Sequence, residues 1–531
     1  MKLLLTTLNS KYVHSNLAIR YLYNVVANSP FDVTLREYTI NNERDYVFNE
    51  IIRDDYDIVC FSCYIWNIEL INSLIEEIRE AAPNIIIVVG GPEVSYDTEE
   101  YMTQNPCVDF VLRGEGEITF FNLLKSIYME DYSFKYIKGL GYRIGKAVYI
   151  NEEDDTIDFN EIPFPYETID FDKDKVIYYE SVRGCPYNCS YCLSSIDKKI
   201  RPLNINRVRR DIGYFLMKNV KQVKFIDRTF NYYRQRALKI WDFLINNDNG
   251  VTNFHFEING DLLNDEAVEL LSHVRPGMFQ LEIGIQSTNP KTLKAVNRRE
   301  NIYPLMYYVK KIIEAGNIHI HVDLIAGLPY EDYNSFANSF NRVYGLSADC
   351  LQLGFLKMLK GTEIRRDASK HGYKFRDNAP YEVISNNYMS ALDIVKLKMV
   401  EKVFNLYGNR GGFEKSVDFL IKKLGSTPFN FYERLADFYY SRGYQDRSHS
   451  KENLYRILYE FADMVYDEIN KRDEMIISYA NSLMEQRGYE PDIQKKETGL
   501  VAFKSVIHMD MLNSLNQETV KKFDRKGWEV K

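Results

Sequence analysis

"VIYYESVRGCPYNCSYC" (residues 176–192) begins as a β-branched, aromatic strand and ends as a loop carrying Cys185, Cys189 and Cys192 within eight positions. The whole chain of 531 residues holds only seven cysteines. Structural metal sites close with four protein ligands, so a loop with three leaves one position open. Downstream of it, apolar runs recur as "QVKFID" (222–227), "NFHFEING" (253–260), "QLEIGIQS" (280–287), "HIHVDLIAG" (319–327) and "CLQLGFLK" (350–357), separated by helical segments such as 233–246 and 303–315. Six strands in one alternating register read as a partial (βα)6 barrel of the TIM type. The active site of such a barrel lies at the C-terminal strand ends, where the cysteines stand.

Upstream, the first 130 residues form a second alternating series: "KLLLT" (2–6), "DVTLREY" (32–38), "DIVCFS" (57–62), "NIIIVVGG" (84–91) and "DFVLRGEG" (109–116). Between them, Ile71, Leu74, Ile75 and Ile78 recur at helical spacing. Strands alternating with helices predict a Rossmann-like, doubly wound parallel sheet. His14, Ser62, Gly90, Gly91, Glu115 and Gly116 all follow strands, at the ligand-binding edge of such a sheet. Residues 131–175 are acidic and irregular and read as a linker. Beyond about residue 370 the β pattern gives way to helical periodicity, with a short strand or hairpin expected near "GLVAFKSVIHM" (499–509).

The formal net charge of −8 gives no reason to expect a nonspecific nucleic-acid binder. No run of eighteen apolar residues occurs and the N-terminus lacks signal-peptide character, so a cytoplasmic protein without a membrane span is expected. An odd, unevenly clustered set of cysteines does not read as a disulfide framework. The 41 tyrosines read as compositional bias.

The spacing Cys-x3-Cys-x2-Cys, with Tyr191 before the last cysteine, resembles the radical S-adenosylmethionine (radical SAM) superfamily. In that superfamily three thiolates hold a 4Fe-4S cluster whose open iron binds S-adenosylmethionine, and one-electron reduction yields a 5′-deoxyadenosyl radical. "KFIDRTFN" (224–231) resembles the second-strand motif, which implies that Asp227 and Thr229 hold the amino group of the cosubstrate. "LEIGIQSTNPKTLKAVNRR" (281–299) resembles the fourth-strand motif, with Glu282, Gln286 and Ser287 at the strand end and Arg298 available to the methionyl carboxylate. "DLIAGLPYED" (323–332) resembles the fifth-strand motif, in which Gly327 lets backbone approach the adenine. Read singly, these residues serve equally as caps, strand-end partners and turns.

"VVGGPEVS" (88–95) and "LRGEGE" (112–117) resemble the cobalamin-binding domain that precedes the barrel in one radical SAM class. The resemblance implies that Ser62, Gly90, Gly91, Glu115 and Gly116 line a slot for cobalamin. The loop "YVHSNL" (12–17) departs from the Asp-x-His-x-x-Gly pattern, since Tyr12 and Leu17 replace Asp and Gly, so His14 lacks the carboxylate that would orient it as a cobalt ligand. Cys60, Cys63 and Cys107 raise a rival, a methylthiotransferase-like enzyme with two clusters. Against it, no cysteine precedes Cys60 and the C-terminal tail reads as helical.

The resemblance therefore implies a cobalamin-binding domain over 1–130, the linker, a radical SAM barrel over 176–370 and a mainly helical domain over 371–531. It further implies methylation of an unactivated carbon in a small-molecule or natural-product substrate, with electrons from a flavodoxin or ferredoxin. A noncatalytic cobalamin- or metal-binding module is the remaining alternative.

Overall fold

The first strand, β1 (Lys2–Asn9), is buried from its second residue onward, because Leu3, Leu4, Leu5 and Leu8 feed cores on both faces of the sheet it belongs to. The computed structural model describes residues 1–153, 158–486 and 500–516. Along the chain follow α1 (Leu17–Val26), β2 (Asp32–Thr39), α2 (Arg44–Arg53), β3 (Ile58–Ser62), α3 (Ile68–Ala81), β4 (Ile86–Gly90), α4 (Pro92–Ser95), α5 (Thr98–Gln104), β5 (Phe110–Leu112) and α6 (Gly116–Tyr128). The strands stand in the order β2-β1-β3-β4-β5, all parallel. This is the predicted doubly wound sheet, with α2 and α3 packed on one face and α1 and α6 on the other.

The stretch 131–175, read above as an irregular linker, contributes structure to that sheet. β6 (Leu140–Ile144) and β7 (Ala147–Ile150) add two antiparallel strands beside β5. Leu140 and Tyr142 are buried in the core. Farther on, Phe159, Ile162, Phe164 and Tyr166 are also buried.

The second series runs β8 (Val176–Tyr179), β9 (Val182–Arg183), β10 (Arg201–Pro202), α7 (Ile205–Met217), β11 (Gln222–Phe225), α8 (Arg234–Asn246), β12 (Asn253–Ile258), α9 (Asp265–Ser272), β13 (Phe279–Gln286), α10 (Pro290–Ala295), α11 (Ile302–Ala315), β14 (His319–Ala326), α12 (Tyr333–Tyr344) and β15 (Cys350–Phe355). Six of these strands form the sheet β15-β14-β13-β12-β11-β8, as the alternating pattern predicts. Along β13, Phe279, Leu281, Ile283 and Ile285 are buried, while Gln280, Glu282, Gly284 and Gln286 occupy the other face. That face is polar, whereas a closed barrel fills its interior with branched apolar side chains.

The chain divides into two units, residues 1–330 with 354–388, and residues 331–353 with 389–531. Both sheets lie mainly in the first, which also holds α13 (Glu363–Arg366) and a short ladder of β16 (Lys374–Phe375) and β17 (Val383–Ser385). The second carries α14 (Ala391–Phe404), α15 (Glu414–Leu424), α16 (Pro428–Ser441), α17 (Lys451–Gln486) and α18 (Leu500–Ser514). The hairpin expected at 499–509 is therefore helical from Leu500 onward. Phe503, Ile507 and Met511, four residues apart, are fully buried, and Asp510 accepts hydrogen bonds from the Ser416 backbone and hydroxyl at 2.8 and 2.7 Å. Tyrosine is also core material: Tyr407, Tyr432, Tyr439 and Tyr455 are among the largest fully buried side chains.

Candidate active site

The cysteine loop is a hairpin with a closed neck. β9 and β10 pair antiparallel, placing Arg183 opposite Arg201. Gly184 sits at φ +82°, where a Cβ would fall 2.2 Å from the Lys199 carbonyl oxygen, so the two arms approach too closely for any side chain. Across the neck the Cys185 N–H donates to the Asp197 carbonyl at 3.0 Å, and farther out the Ser190 N–H donates to the Val296 carbonyl at 3.0 Å. Cys185 and Cys189 are buried and Cys192 is half-buried. Burial pushes the Cys185 and Cys189 thiols up, and the neighbouring Cys192 thiol pushes each further. Ligands that each take a different corner of a cluster need not converge on one point. Among the described residues no group of three or more His, Cys, Asp or Glu side chains is arranged to hold a single metal ion.

The root of the loop is held from β11. Asp227, fully buried just after that strand, accepts from the Ser181 N–H at 2.6 Å, the Ser181 hydroxyl at 2.5 Å and the Val182 N–H at 3.1 Å. Burial raises its carboxyl to about 7 against these donors. Its carboxyl group thereby fixes the chain three and four residues before Cys185. Thr229 remains beside the loop, its hydroxyl 3.8 Å from the Cys185 sulfur while donating to the Arg228 carbonyl.

Arg298 is likewise committed within the protein. It donates to the Tyr191 hydroxyl at 2.9 Å and to the Gly284 carbonyl, and pairs with both oxygens of Glu300, at 2.8 and 2.7 Å. These contacts make it a brace between Tyr191 of the cysteine loop and the end of β13. Gly327, at φ +91°, offers its carbonyl to the Tyr373 hydroxyl at 2.9 Å and the Asn386 side chain at 2.8 Å. Ser287, fully buried, accepts from the Asn289 N–H at 3.0 Å.

Polar side chains cross the barrel sheet in register: Lys224 beside His255 beside Gln280, and Glu257 beside Glu282 beside His321. Glu282 accepts from Lys224 Nζ at 3.0 Å and contacts His255 Nε2 at 2.9 Å. Burial acts to raise its carboxyl, but the His255 hydrogen bond and the Lys224 charge outweigh it and hold Glu282 at about 2. Two buried acceptors here have no partner among the described residues, Gln286 Oε1 and Asp323 Oδ1. Gln286 also adopts φ +68° at the strand end. Burial, followed by the charges of Glu282 and Glu257, pushes Asp323 up to about 7. A buried acceptor without a donor is costly unless a ligand supplies one, so this face fits a polar molecule lying beneath the cysteine loop.

A cavity of about 420 Å³ opens at the C-terminal edge of the first sheet. Its walls include Leu17, Leu22, Ser62, Val88, Gly90, Gly91, Leu112, Glu115 and Gly116 from that sheet, and Glu180, Val182, Arg183, Gly184, Ser194 and Asp197 from the strand and loop around the cysteines. The glycines differ in kind. Gly91, at φ +110°, would place a Cβ 2.4 Å from the Cys63 carbonyl oxygen, so the fold itself demands glycine there. Gly90 and Gly116 would meet Leu112 at 3.4 and 3.6 Å, ordinary contacts. Internal packing does not require these two to be bare, and their bareness leaves the slot open for a bulky ligand.

His14 lies outside the lining of this cavity. Its Nδ1 meets the Tyr178 hydroxyl at 2.8 Å, and its neighbours pair with the start of β8, the Val176 N–H donating to the Val13 carbonyl and the Ser15 hydroxyl to the Val176 carbonyl, both at 2.8 Å. The loop around His14 forms a seam between the two sheets. Burial, then Lys11 and Lys224, lowers the His14 pKa. Glu115 faces the cavity, yet its carboxylate is engaged by Arg183 and Arg201. The remaining N-terminal cysteines are set apart by the sheet: Cys60 belongs to the core on the α1/α6 face, Cys63 and Cys107 to that on the α2/α3 face. Burial pushes the Cys60 and Cys63 thiols up.

Three family models match the chain: a B12-binding domain over residues 3–124, the radical SAM superfamily over 179–343, and a protein of unknown function (DUF4080) over 369–529. The chain therefore carries a B12-binding domain followed by a radical SAM domain. It is 25% identical over 300 residues to the cobalamin-dependent radical SAM methyltransferase TokK of Streptomyces tokunonensis, covering 53% of this chain and 44% of TokK. It is 26% identical over 302 residues to the 2-(S-pantetheinyl)-carbapenam-3-carboxylate methyltransferase of Streptantibioticus cattleyicolor, again covering 53% of this chain and 44% of the relative. The matches thus span less than half the length of these relatives. Among solved structures, the cobalamin-dependent S-adenosylmethionine radical enzyme OxsB shares its fold, with TM-score 0.64 at 13% identity over 100% of this chain and 84% of that one.

Sequence reading missed Arg183, Glu117, Glu180 and Asp323. The signal for Arg183 was present, a basic residue two positions before Cys185, but its partners lie 66 and 68 residues away. Lys360 and Arg365 act as internal ties: Lys360 Nζ donates to the Glu93 carbonyl at 3.2 Å and Arg365 to the Met358 carbonyl at 2.5 Å. Among the described residues no helix is long and apolar enough to cross a membrane.

Proposed function

We propose that this chain is a cobalamin-dependent radical SAM enzyme that methylates an unactivated carbon of a small molecule. The observation that carries the reading is the shared wall: the glycine-edged cavity of the first sheet is lined on its other side by the strand and loop that bear the cysteines. Cobalamin in that slot and a cluster on that loop would face a common space.

Cys185, Cys189 and Cys192 would hold a 4Fe-4S cluster, leaving one iron for the amino and carboxylate groups of S-adenosylmethionine. When bound, cluster and cobalamin supply reductive cleavage of the cosubstrate and a transferable methyl group. The chain's own residues position and shield. Gln286 and Asp323 present unpartnered acceptors to donors of a bound molecule, and Glu282, held ionised by Lys224 and His255, fixes the charge of the face beneath. Ser287, Thr229 and Gly327 stand at strand ends where cosubstrate would lie. Asp227 and Arg298 act one step back, holding the loop root and Tyr191. Gly90, Gly91, Gly116 and Ser62 shape the slot, residues 1–130 forming the cobalamin domain and 176–370 the radical domain. Burial of Cys60 and Cys63 in separate cores speaks against a second cluster. The electron donor is a low-potential carrier of the flavodoxin or ferredoxin class, and the protein works in the cytoplasm.

The test is product analysis of the anaerobically reconstituted protein with cobalamin, a low-potential reductant and S-adenosylmethionine. S-adenosylhomocysteine forming together with 5′-deoxyadenosine supports methylation. 5′-Deoxyadenosine alone contradicts it.

A further inference from the structure

Both arms of the cysteine hairpin end on one carboxylate of the other sheet. Glu115, the residue before α6, accepts from Arg183 at 3.1 Å on one arm and from Arg201 at 2.9 Å on the facing arm. Arg183 is 9% exposed. It also donates to Glu117 at 2.5 Å and Glu180 at 2.8 Å, and its guanidinium lies 4.3 Å from the centre of the Phe159 ring. Arg201 further pairs with Asp197, the residue whose carbonyl closes the neck on Cys185. Glu115, Glu117, Glu180, Arg183 and Asp197 all line the cavity. One partly buried ion-pair set is therefore the wall of the cavity and the clamp of the cysteine loop at once.

We propose that Arg183 and Arg201, closing the cysteine loop on Glu115, couple ligand binding in the sheet-edge cavity to cluster binding in the loop. A partly buried, bidentate Arg–carboxylate set has a narrow geometric optimum, so ordering the α6 end around a ligand orders the hairpin neck, and a cluster that rigidifies the hairpin orders the cavity rim. Such coupling is reciprocal, and each site gains affinity from occupancy of the other by the same factor, typically about tenfold. Glu115 is then a positioning residue, in place of the cobalamin contact expected from its sequence position.

The proposal rests on the cobalamin reading above. It is tested by hydroxocobalamin binding to the full chain under anaerobic conditions, comparing the cluster-reconstituted protein with a Cys185→Ala, Cys189→Ala, Cys192→Ala chain that cannot hold a cluster. The cluster-bearing protein binds hydroxocobalamin about tenfold more tightly. In Glu115→Gln the ratio falls to near one while both forms still bind. A merely structural role would weaken both forms alike and leave the ratio unchanged, which overturns the proposal. Arg201→Lys, which keeps the charge and loses the fork, gives an intermediate ratio and replaces Glu115→Gln where that chain does not fold; an unchanged ratio there overturns the proposal equally. Tight binding with a wild-type ratio of one defeats the coupling and leaves the cobalamin reading standing. Absence of hydroxocobalamin binding defeats both.

Discussion

Asp227→Ala removes the acceptor of three hydrogen bonds at the root of the cysteine loop, from the Ser181 N–H, the Ser181 hydroxyl and the Val182 N–H. Ser181 is fully buried, so its freed donors cannot turn to water. A buried donor left without a partner costs about 1–3 kcal/mol. The two Ser181 donors, N–H and hydroxyl, together therefore cost roughly 2–6 kcal/mol, a large part of the 5–15 kcal/mol that holds a typical domain together. The loss is local, and the loop root detaches before either sheet melts. Amide hydrogen exchange over residues 181–200 should quicken by roughly 30-fold or more, the conversion of about 2 kcal/mol, while exchange in β1 and β3 stays as in the wild type. Iron and sulfide retained after anaerobic reconstitution should fall with it. Asp227→Asn keeps one acceptor oxygen and should lie between the two. An Asp227→Ala protein with wild-type exchange in 181–200 and a full complement of iron would refute the assignment of Asp227 to the loop root.

Glu282→Gln should destabilise the protein at neutral pH, since a carboxyl held at about 2 instead of its ordinary 4.5 corresponds to roughly 3 kcal/mol before solvent screening. Because the folded-state value is depressed, that stability is present above pH 4.5 and lost as pH falls through about 2, so the guanidinium midpoints of wild type and variant should converge on acidification; a gap that is constant between pH 7 and pH 3 contradicts it. Gly91→Ala forces a Cβ to 2.4 Å from the Cys63 carbonyl at φ +110°, and thermal melting should show a loss of about 1–3 kcal/mol. Gly116→Ala meets only ordinary contacts, so its melting temperature should hold while hydroxocobalamin affinity drops roughly tenfold through overpacking of the slot; equal affinity would remove Gly116 from the slot. Arg298→Lys should release the Tyr191 hydroxyl, with a changed electron paramagnetic resonance line shape of the reduced cluster as the readout and an unchanged line shape as the contrary result.

Alternation of apolar strand and amphipathic helix made both sheets legible, because that signal is local and repeats along the chain. The cysteine loop was legible for the same reason, three thiols lying within eight positions. The direction of side chains was not. Asp227 and Arg298 sit where motif resemblance puts them, but their polar atoms are taken by Ser181 and Glu300, contacts set by how β8, β11 and β13 stand in space. Arg183 and Glu115 are separated by 68 residues, and no sequence period links them. The strands β6 and β7 are short and were absorbed into a linker reading whose acidic residues lie mostly from Glu152 onward, while helix α18 was obscured by the β-branched residues Val501, Val506 and Ile507, although the four-residue spacing of Phe503, Ile507 and Met511 carried the truer signal.

Anaerobic purification followed by iron, sulfide and cobalt analysis tests the central claim most directly. About four irons, about four sulfides and about one cobalt per chain is the predicted result after reconstitution with cobalamin. About eight irons with no cobalt would contradict it and assign Cys60, Cys63 and Cys107 to a second cluster.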